Sequence, residues 1–244
     1  MKLIHLLLMF LASSVYASGQ SSTLFKIEVV MAKKTDRKSI QDFRRATTAF
    51  YEDDCFQITK SCLGEFGGRL IFKDKASGVL YICNATCPVI INKLNGQYIA
   101  TNTLAHMQGS SEIMSIDNPR ALRVVVEAKP EKKPRQVVIT PLTGTTESKT
   151  GTRTILDSVG VFTLGSFPFE GQLYHLVTDF KTTYLAQVIQ GKYVKIAAIA
   201  DYSLWTYEPE MIKTINGNYV VFYDNRKDKG YLEVNGNSIT VFRY

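Results

Sequence analysis

Four cysteines, Cys55, Cys62, Cys83 and Cys87, are the only thiols in the 244-residue chain, and all lie between residues 55 and 87. Thiols so clustered can bridge as disulfides, hold a metal or exchange electrons. The metal and redox readings both want a Cys-x-x-Cys pair, and none occurs, since Cys83-Asn-Ala-Thr-Cys87 has one residue too many. Structural disulfides are therefore expected, two in number, with the pairing open among three connectivities. The other reactive side chains form no motif. His106 and His175 have no acid–base partner nearby in sequence, and Glu52-Asp53-Asp54 reads as a solvated turn. Gly64-Glu-Phe-Gly-Gly68 lacks the Lys-Ser/Thr and following helix of a phosphate cradle. No nucleophile elbow, zinc-protease helix or Walker loop is present. The expectation is a protein without enzymatic activity, metal or cofactor.

The compartment follows from the first residues. In MKLIHLLLMFLASSVYA, Lys2 is a short positive region, Leu3 to Ala12 an apolar run, and Val15 and Ala17 small residues at a cleavage site. Residues 1–17 read as a secretory signal peptide, because a spanning helix needs about 20 apolar residues. No later stretch is long enough to span a bilayer. The chain is expected to be exported, to the periplasm in a bacterium and otherwise to the outside or the ER lumen, where disulfides form. Asn84-Ala-Thr86 would be a glycosylation acceptor at Asn84 in a eukaryotic host.

Charge narrows the partners. The chain carries 29 Lys and Arg against 22 Asp and Glu, a formal charge of +7. The basic residues are dispersed, without the interleaved aromatics of an RNA-binding strand, so nucleic acid is not expected. An anionic membrane surface or an acidic protein remains as the basic chain's counterpart.

The elements that would position these residues are mainly strands. Thirteen Tyr, thirteen Phe and many Val, Ile and Thr favour sheet. Asn95-Gly96 between Val89-Ile-Ile91 and Tyr98-Ile-Ala100 is a strong hairpin signal. Further turns are expected at Gly67-Gly68, Gly191-Lys192, Asn216-Gly217 and Asn235-Gly236. Ile40, Phe43, Thr47 and Phe50 have helical spacing, which predicts an N-terminal amphipathic helix over Asp36 to Phe50. A short helix is also expected over Thr154 to Val161. Residues 18–244 read as a single β-rich domain, or as two lobes, 18–128 and 136–244, joined by the Pro- and Lys-rich connection 129–135. Pro88 to Ile99 and Pro209 to Val220 share Pro, Ile, Asn, Gly and Tyr in order. That similarity reflects either turn chemistry or a duplicated β-unit.

The order of features over residues 39–102 resembles the LolA-type family of periplasmic carriers of outer-membrane lipoproteins. The counterparts are Ile40 to Phe50, Phe56-Gln57, Gly68-Arg-Leu-Ile-Phe72, Leu80-Tyr81, Pro88, and Ile90-Ile91 through Asn95-Gly96 to Tyr98. Trp205 to Pro209, Asn216-Gly217 and Phe222-Tyr-Asp224 echo the same stretch. The chain departs from the family where Lys73-Asp74 replaces an Arg-Pro, and in its four cysteines. The resemblance implies a curved antiparallel sheet, a half-open barrel, holding acyl chains in an apolar cavity.

Strand patterning without the family gives a mainly β, curved antiparallel or sandwich-like fold. Leu70, Phe72, Leu80, Ile82, Ile91, Tyr98, Leu204 and Tyr219 are its candidates for an apolar cavity, against ordinary core packing. Two functions follow as expectations: a carrier of lipid or lipoprotein acyl chains, and a secreted, disulfide-stabilised β-sandwich that binds a protein partner.

Overall fold

The computed structural model describes residues 24–125, 149–225 and 228–244. The expected leader 1–17 and the connection 129–135 lie outside them. The early strands are β1 (Lys26–Met31), β2 (Tyr51–Glu52), β3 (Phe56–Cys62), β4 (Gly68–Asp74), β5 (Leu80–Asn84) and β6 (Pro88–Leu94). There follow β7 (Gln97–Leu104), β8 (Ser110–Ile116), β9 (Arg123–Val124), β10 (Arg153–Val159), β11 (Phe162–Phe169) and β12 (Gln172–Thr178). The last are β13 (Thr183–Ile189), β14 (Lys192–Ala200), β15 (Met211–Lys213), β16 (Tyr219–Asp224), β17 (Lys229–Asn235) and β18 (Ser238–Arg243).

The fold is mainly β, as expected, and where the sequence pattern left a curved or a sandwich-like sheet open, the strands form four open sheets. In order they are β2-β3-β4-β5-β9, β10-β8-β7-β6, β11-β12-β13-β14 and β1-β18-β17-β16-β15. Shared cores set the stacking. Phe56, Ile58, Leu70 and Phe72 of the first sheet meet Ile91, Tyr98, Met114 and Ile116 of the second. Ile99 and Ile113 on the second sheet's other face meet Leu173, Val188 and Tyr193 of the third. Leu164, Phe167, Leu176 and Leu185 meet Val221, Leu232 and Val241 of the fourth. Four layers therefore stack face on face, and the two inner sheets are covered on both sides. Strand β10 pairs with β8, and β1 pairs in parallel with β18, so hydrogen bonding joins early and late parts of the chain.

The interface between the second and third sheets is polar. Asn92 Nδ2 donates to the Ser166 carbonyl and hydroxyl at 3.0 Å each. The Thr101 and Ser166 hydroxyls are 2.6 Å apart, and those of Ser111 and Thr163 2.7 Å. The Thr163 N–H donates to Thr103 Oγ1 at 2.9 Å. Short hydroxyl side chains let two sheets approach closely while giving one another hydrogen-bond partners, and a buried polar atom is costly to leave without one.

The expected helix over Asp36 to Phe50 is absent. Two single turns form instead, Lys34–Asp36 and Ile40–Asp42. Ser39 and Asp42 cap each other across the second turn, and Phe43 then turns extended, at φ −106° and ψ 120°. Tertiary contacts explain the stop. Ile40 and Phe43 pack on Ile212, Val220 and Tyr231. Ala46 N–H donates to the Lys213 carbonyl and Ile215 N–H to the Arg44 carbonyl, so this segment covers the edge of β15.

Thr154 to Val161 is likewise not helical. Its β-branched residues build β10, which buries Leu156 opposite Ile113. The two Asn-Gly hairpins also close differently. Leu94 pairs with Gln97 across Asn95-Gly96, both with positive φ. In the second hairpin Thr214 N–H bonds the Asn218 carbonyl across a three-residue loop, and only Gly217 has positive φ. The shared letters thus produce two different turns.

One disulfide forms, Cys62–Cys87, with Cα atoms 4.4 Å apart. Cys55 is exposed and Cys83 buried, both free. The expected second bridge fails on register. Cys83 lies opposite Leu70, whereas Cys55 bonds Lys75 through its carbonyl. Five residues of strand separate those levels, roughly 16 Å, far beyond disulfide reach.

Candidate functional site

The most developed cavity, about 250 Å³, opens where three sheet edges converge. Strands β2, β6 and β15 are each terminal in their sheets, and all three contribute to its walls. Phe50, Tyr51, Ile90, Ile91, Met211 and Tyr219 make it mainly apolar. The segment 45–52 roofs it, held at one end by the Arg45–Thr214 bridge and at the other by β2. Between these ends Thr47 Oγ1 accepts the Ala49 N–H at 3.2 Å and donates to Glu52 Oε2 at 3.2 Å.

Paired charges flank the cavity. At one end Glu210 receives both Arg45 and Lys60, the latter at 3.1 Å. Lys60 also donates to the Pro88 carbonyl at 2.8 Å and lies over the Phe50 ring. Burial lowers the Lys60 pKa, and the Glu210 charge only partly offsets it. Burial also raises that of Glu210, but its two cations outweigh burial and hold it below the usual carboxylate range. The two partners shift in the same direction because burial dominates at Lys60, whereas at Glu210 two cations outweigh burial.

At the other end Asp53 accepts from Lys93 and the Tyr98 hydroxyl, both at 2.6 Å. Burial opposes ionisation of Asp53, but these bonds and the N–H groups of Phe56 and Cys55 bring its pKa to about 2. The cavity wall itself carries three cations, Arg45, Lys93 and Lys213, and two carboxylates, Glu52 and Glu210.

The open edge of β6 adds hydrogen-bonding capacity. In a two-residue hairpin the residues flanking the loop exchange both bonds, and bonding then alternates along the ladder. From Leu94–Gln97, the bonded pairs continue at Asn92–Ile99, leaving the backbone groups of Lys93 and Ile91 directed away from β7. Strand β6 has β7 as its sole ladder partner among the described residues. Ile91 and Lys93 both line the cavity.

Of the residues expected to line an apolar cavity, Ile91 and Tyr219 do meet at this one. Leu70, Phe72 and Tyr98 fill the core between the first and second sheets, and Leu204 that between the third and fourth. Ile82 is buried and Leu80 half-buried, both on β5. Asn84 ends β5 half-buried.

Arg45, Lys60, Lys93 and Glu210 did not stand out in sequence, because Arg45 and Glu210 are 165 residues apart. Asp53 read as a solvated turn, and its bond to Tyr98 spans 45 residues. Only the Glu52-Asp53-Asp54 run carried a local signal.

Other features lie apart. A cavity of about 220 Å³ sits beside the disulfide among Leu63, Phe66, Ala105 and Tyr207. Phe66 is 83% exposed there, and Met107 nearby in sequence 84%. His106 faces Glu65 at 3.5 Å, while His175 is buried against Tyr193 with Nδ1 unpartnered among the described residues. Among the described residues no group of three or more His, Cys, Asp or Glu gathers as metal ligands, and no helix is long and apolar enough to cross a membrane. Compared with known proteins, the chain matches no protein-family model and no curated protein.

Proposed function

We propose that this chain is an exported, non-enzymatic binding protein that recognises a partner protein through an apolar side chain seated in the groove between β2, β6 and β15. The observation that carries this reading is the groove's size and position. An apolar cavity of ~150 Å³ suffices for a benzene ring, whereas drug-sized ligands occupy ~300–1,000 Å³. At about 250 Å³ the groove suits one large side chain and is small for the long acyl chains of a lipoprotein. The expected acyl-lining residues Leu70, Phe72 and Tyr98 are packed against one another across two sheets, with no more than 3% exposure. The outward edge of β6 beside the groove favours a polypeptide, which brings its own N–H and C=O groups.

Retention of random hexapeptides on the immobilised chain, read by mass spectrometry, tests this against the carrier reading. Selective retention of peptides with an aromatic or large aliphatic residue is expected. Binding of cis-parinaric acid with no peptide retained would overturn the proposal in favour of the carrier.

A further inference from the structure

We propose that β1 docks a second copy of this chain, the two β1 edges pairing antiparallel about a two-fold axis through Ile27 and joining two five-stranded sheets into one. This surface lies on a different strand from the groove and does not depend on the peptide reading.

Strand β1 is an edge left open for pairing. Its ladder partner among the described residues is β18 alone, matched from Lys26–Ser238 to Met31–Arg243 without a bulge. No proline interrupts it. Bulges and prolines are two of the usual guards of an edge strand. The Lys26 N–H donates to the Asn237 carbonyl at 2.9 Å and the Ala32 N–H to the Arg243 carbonyl at 2.7 Å. Backbone direction alternates along a strand, so Ile27, Val29 and Met31 turn their N–H and C=O groups outward. Val29 and Met31 also share a face with Phe25 and Ile27 of the core, yet they are 51% and 67% exposed.

The order of side chains identifies the occupant. Leu24-Phe-Lys-Ile-Glu-Val-Val30 reads apolar, apolar, Lys, Ile, Glu, apolar, apolar, and complements its own reverse. A two-fold contact demands this, because where one residue meets another, the second must also meet the first. Centred on Ile27, outward groups face outward groups, as an antiparallel ladder requires. Lys26 of each copy then stands opposite Glu28 of the other, at the closer, non-hydrogen-bonded positions. Both side chains are exposed, and within one chain they already attract each other at 2.9 Å. Val29 and Val30 reach Phe25 and Leu24 of the other copy, the residues leading into β1. Centred on Glu28, two carboxylates would oppose each other; centred on Val29, each charge would face an apolar residue. Strand β14, another exposed terminal strand, carries Lys192 and Lys195 with no acid, and so repels a copy of itself.

Sedimentation velocity of the chain from residue 18 onward, from about 1 to about 100 µM and at low ionic strength, is the test. A dimer is expected. Val29→Pro removes an outward N–H, keeps the donors that face β18, and should weaken the dimer at least tenfold. Lys26→Glu and Glu28→Lys each set like charges opposite one another and should weaken it as much. Thermal unfolding of each variant shows whether it folds. Mixing the Lys26→Glu chain with the Glu28→Lys chain should restore association as a heterodimer, an outcome that no folding defect produces. A parent chain that stays monomeric throughout would overturn the proposal. So would a dimer that all three variants leave unchanged, or charge variants that stay apart on mixing.

Discussion

Lys60 Nζ lies 3.1 Å from Glu210 Oε2, on a carboxylate that also receives Arg45. This contact ties β3 of the first sheet to the residue preceding β15 of the fourth, in a second pocket that shares Glu210 with the groove.

Removing that shared anion leaves two cations facing each other. Glu210→Gln should lower stability by about 1–2 kcal/mol, discounted because all three groups retain partial exposure. Urea unfolding of the variant checks it. An unchanged midpoint would show that the cluster holds nothing together.

Asp53 gives a different acid limit. Its folded pKa of about 2 lies below the ordinary value, so its contribution is complete above that ordinary value and fades as pH falls towards 2. Asp53→Asn should cost about 1–3 kcal/mol at neutral pH and flatten the stability curve below pH 4. Equilibrium denaturation from pH 7 to pH 2.5 reads both effects.

His175 acts higher up the scale. Complete burial pushes its pKa down to about 3, so the folded protein keeps the imidazole neutral where the unfolded chain protonates it. Stability is therefore lost as pH falls from about 6.5 towards 3, by up to about 1.4 kcal/mol per pH unit. In His175→Gln the slope between pH 6.5 and 5 should disappear. A slope identical to the parent's would assign the acid sensitivity elsewhere.

The cysteines should separate into three kinds. Cys55 is exposed and should react with iodoacetamide in the native state, whereas Cys83 is buried with its thiol pushed up to about 12 and should react only on unfolding. Cys62 and Cys87 should react only after reduction. Replacing Cys62 and Cys87 by Ala should cost about 3–4 kcal/mol, from a loop of sequence separation 25. Peptide mapping gives the labelling pattern. Native labelling of Cys83 would contradict the core packing of β5.

Local chemistry marked much of the fold but little of the site. Asn95-Gly96 announced its hairpin because a type I′ turn needs two positive φ angles, which these two residues tolerate. The turn signals at Gly191-Lys192 and Asn235-Gly236 likewise fall where β13 passes to β14 and β17 to β18. Four-layer stacking was not legible. The doubly covered sheet carries Thr101, Thr103 and Ser111 where a buried face is usually apolar, and their hydroxyls bond across to Ser166 and Thr163 of the third sheet. Ile40 and Phe43 carry a helical period, yet their pocket on Ile212, Val220 and Tyr231 and the backbone bonds of Arg44 and Ala46 to the edge of β15 decide the conformation. The groove depends on contacts such as Arg45–Glu210, which no local pattern encodes.

The central claim is that the groove between β2, β6 and β15 is where a polypeptide partner binds, and filling it tests that claim most directly. Ala49 lines the cavity, and Ala49→Phe occupies the space without altering charge. Peptide retention from the hexapeptide pool should be strong on the parent chain and at least tenfold weaker on the variant, with unfolding temperatures within a few degrees of each other. Equal retention by parent and variant would contradict the assignment and place binding elsewhere on the protein.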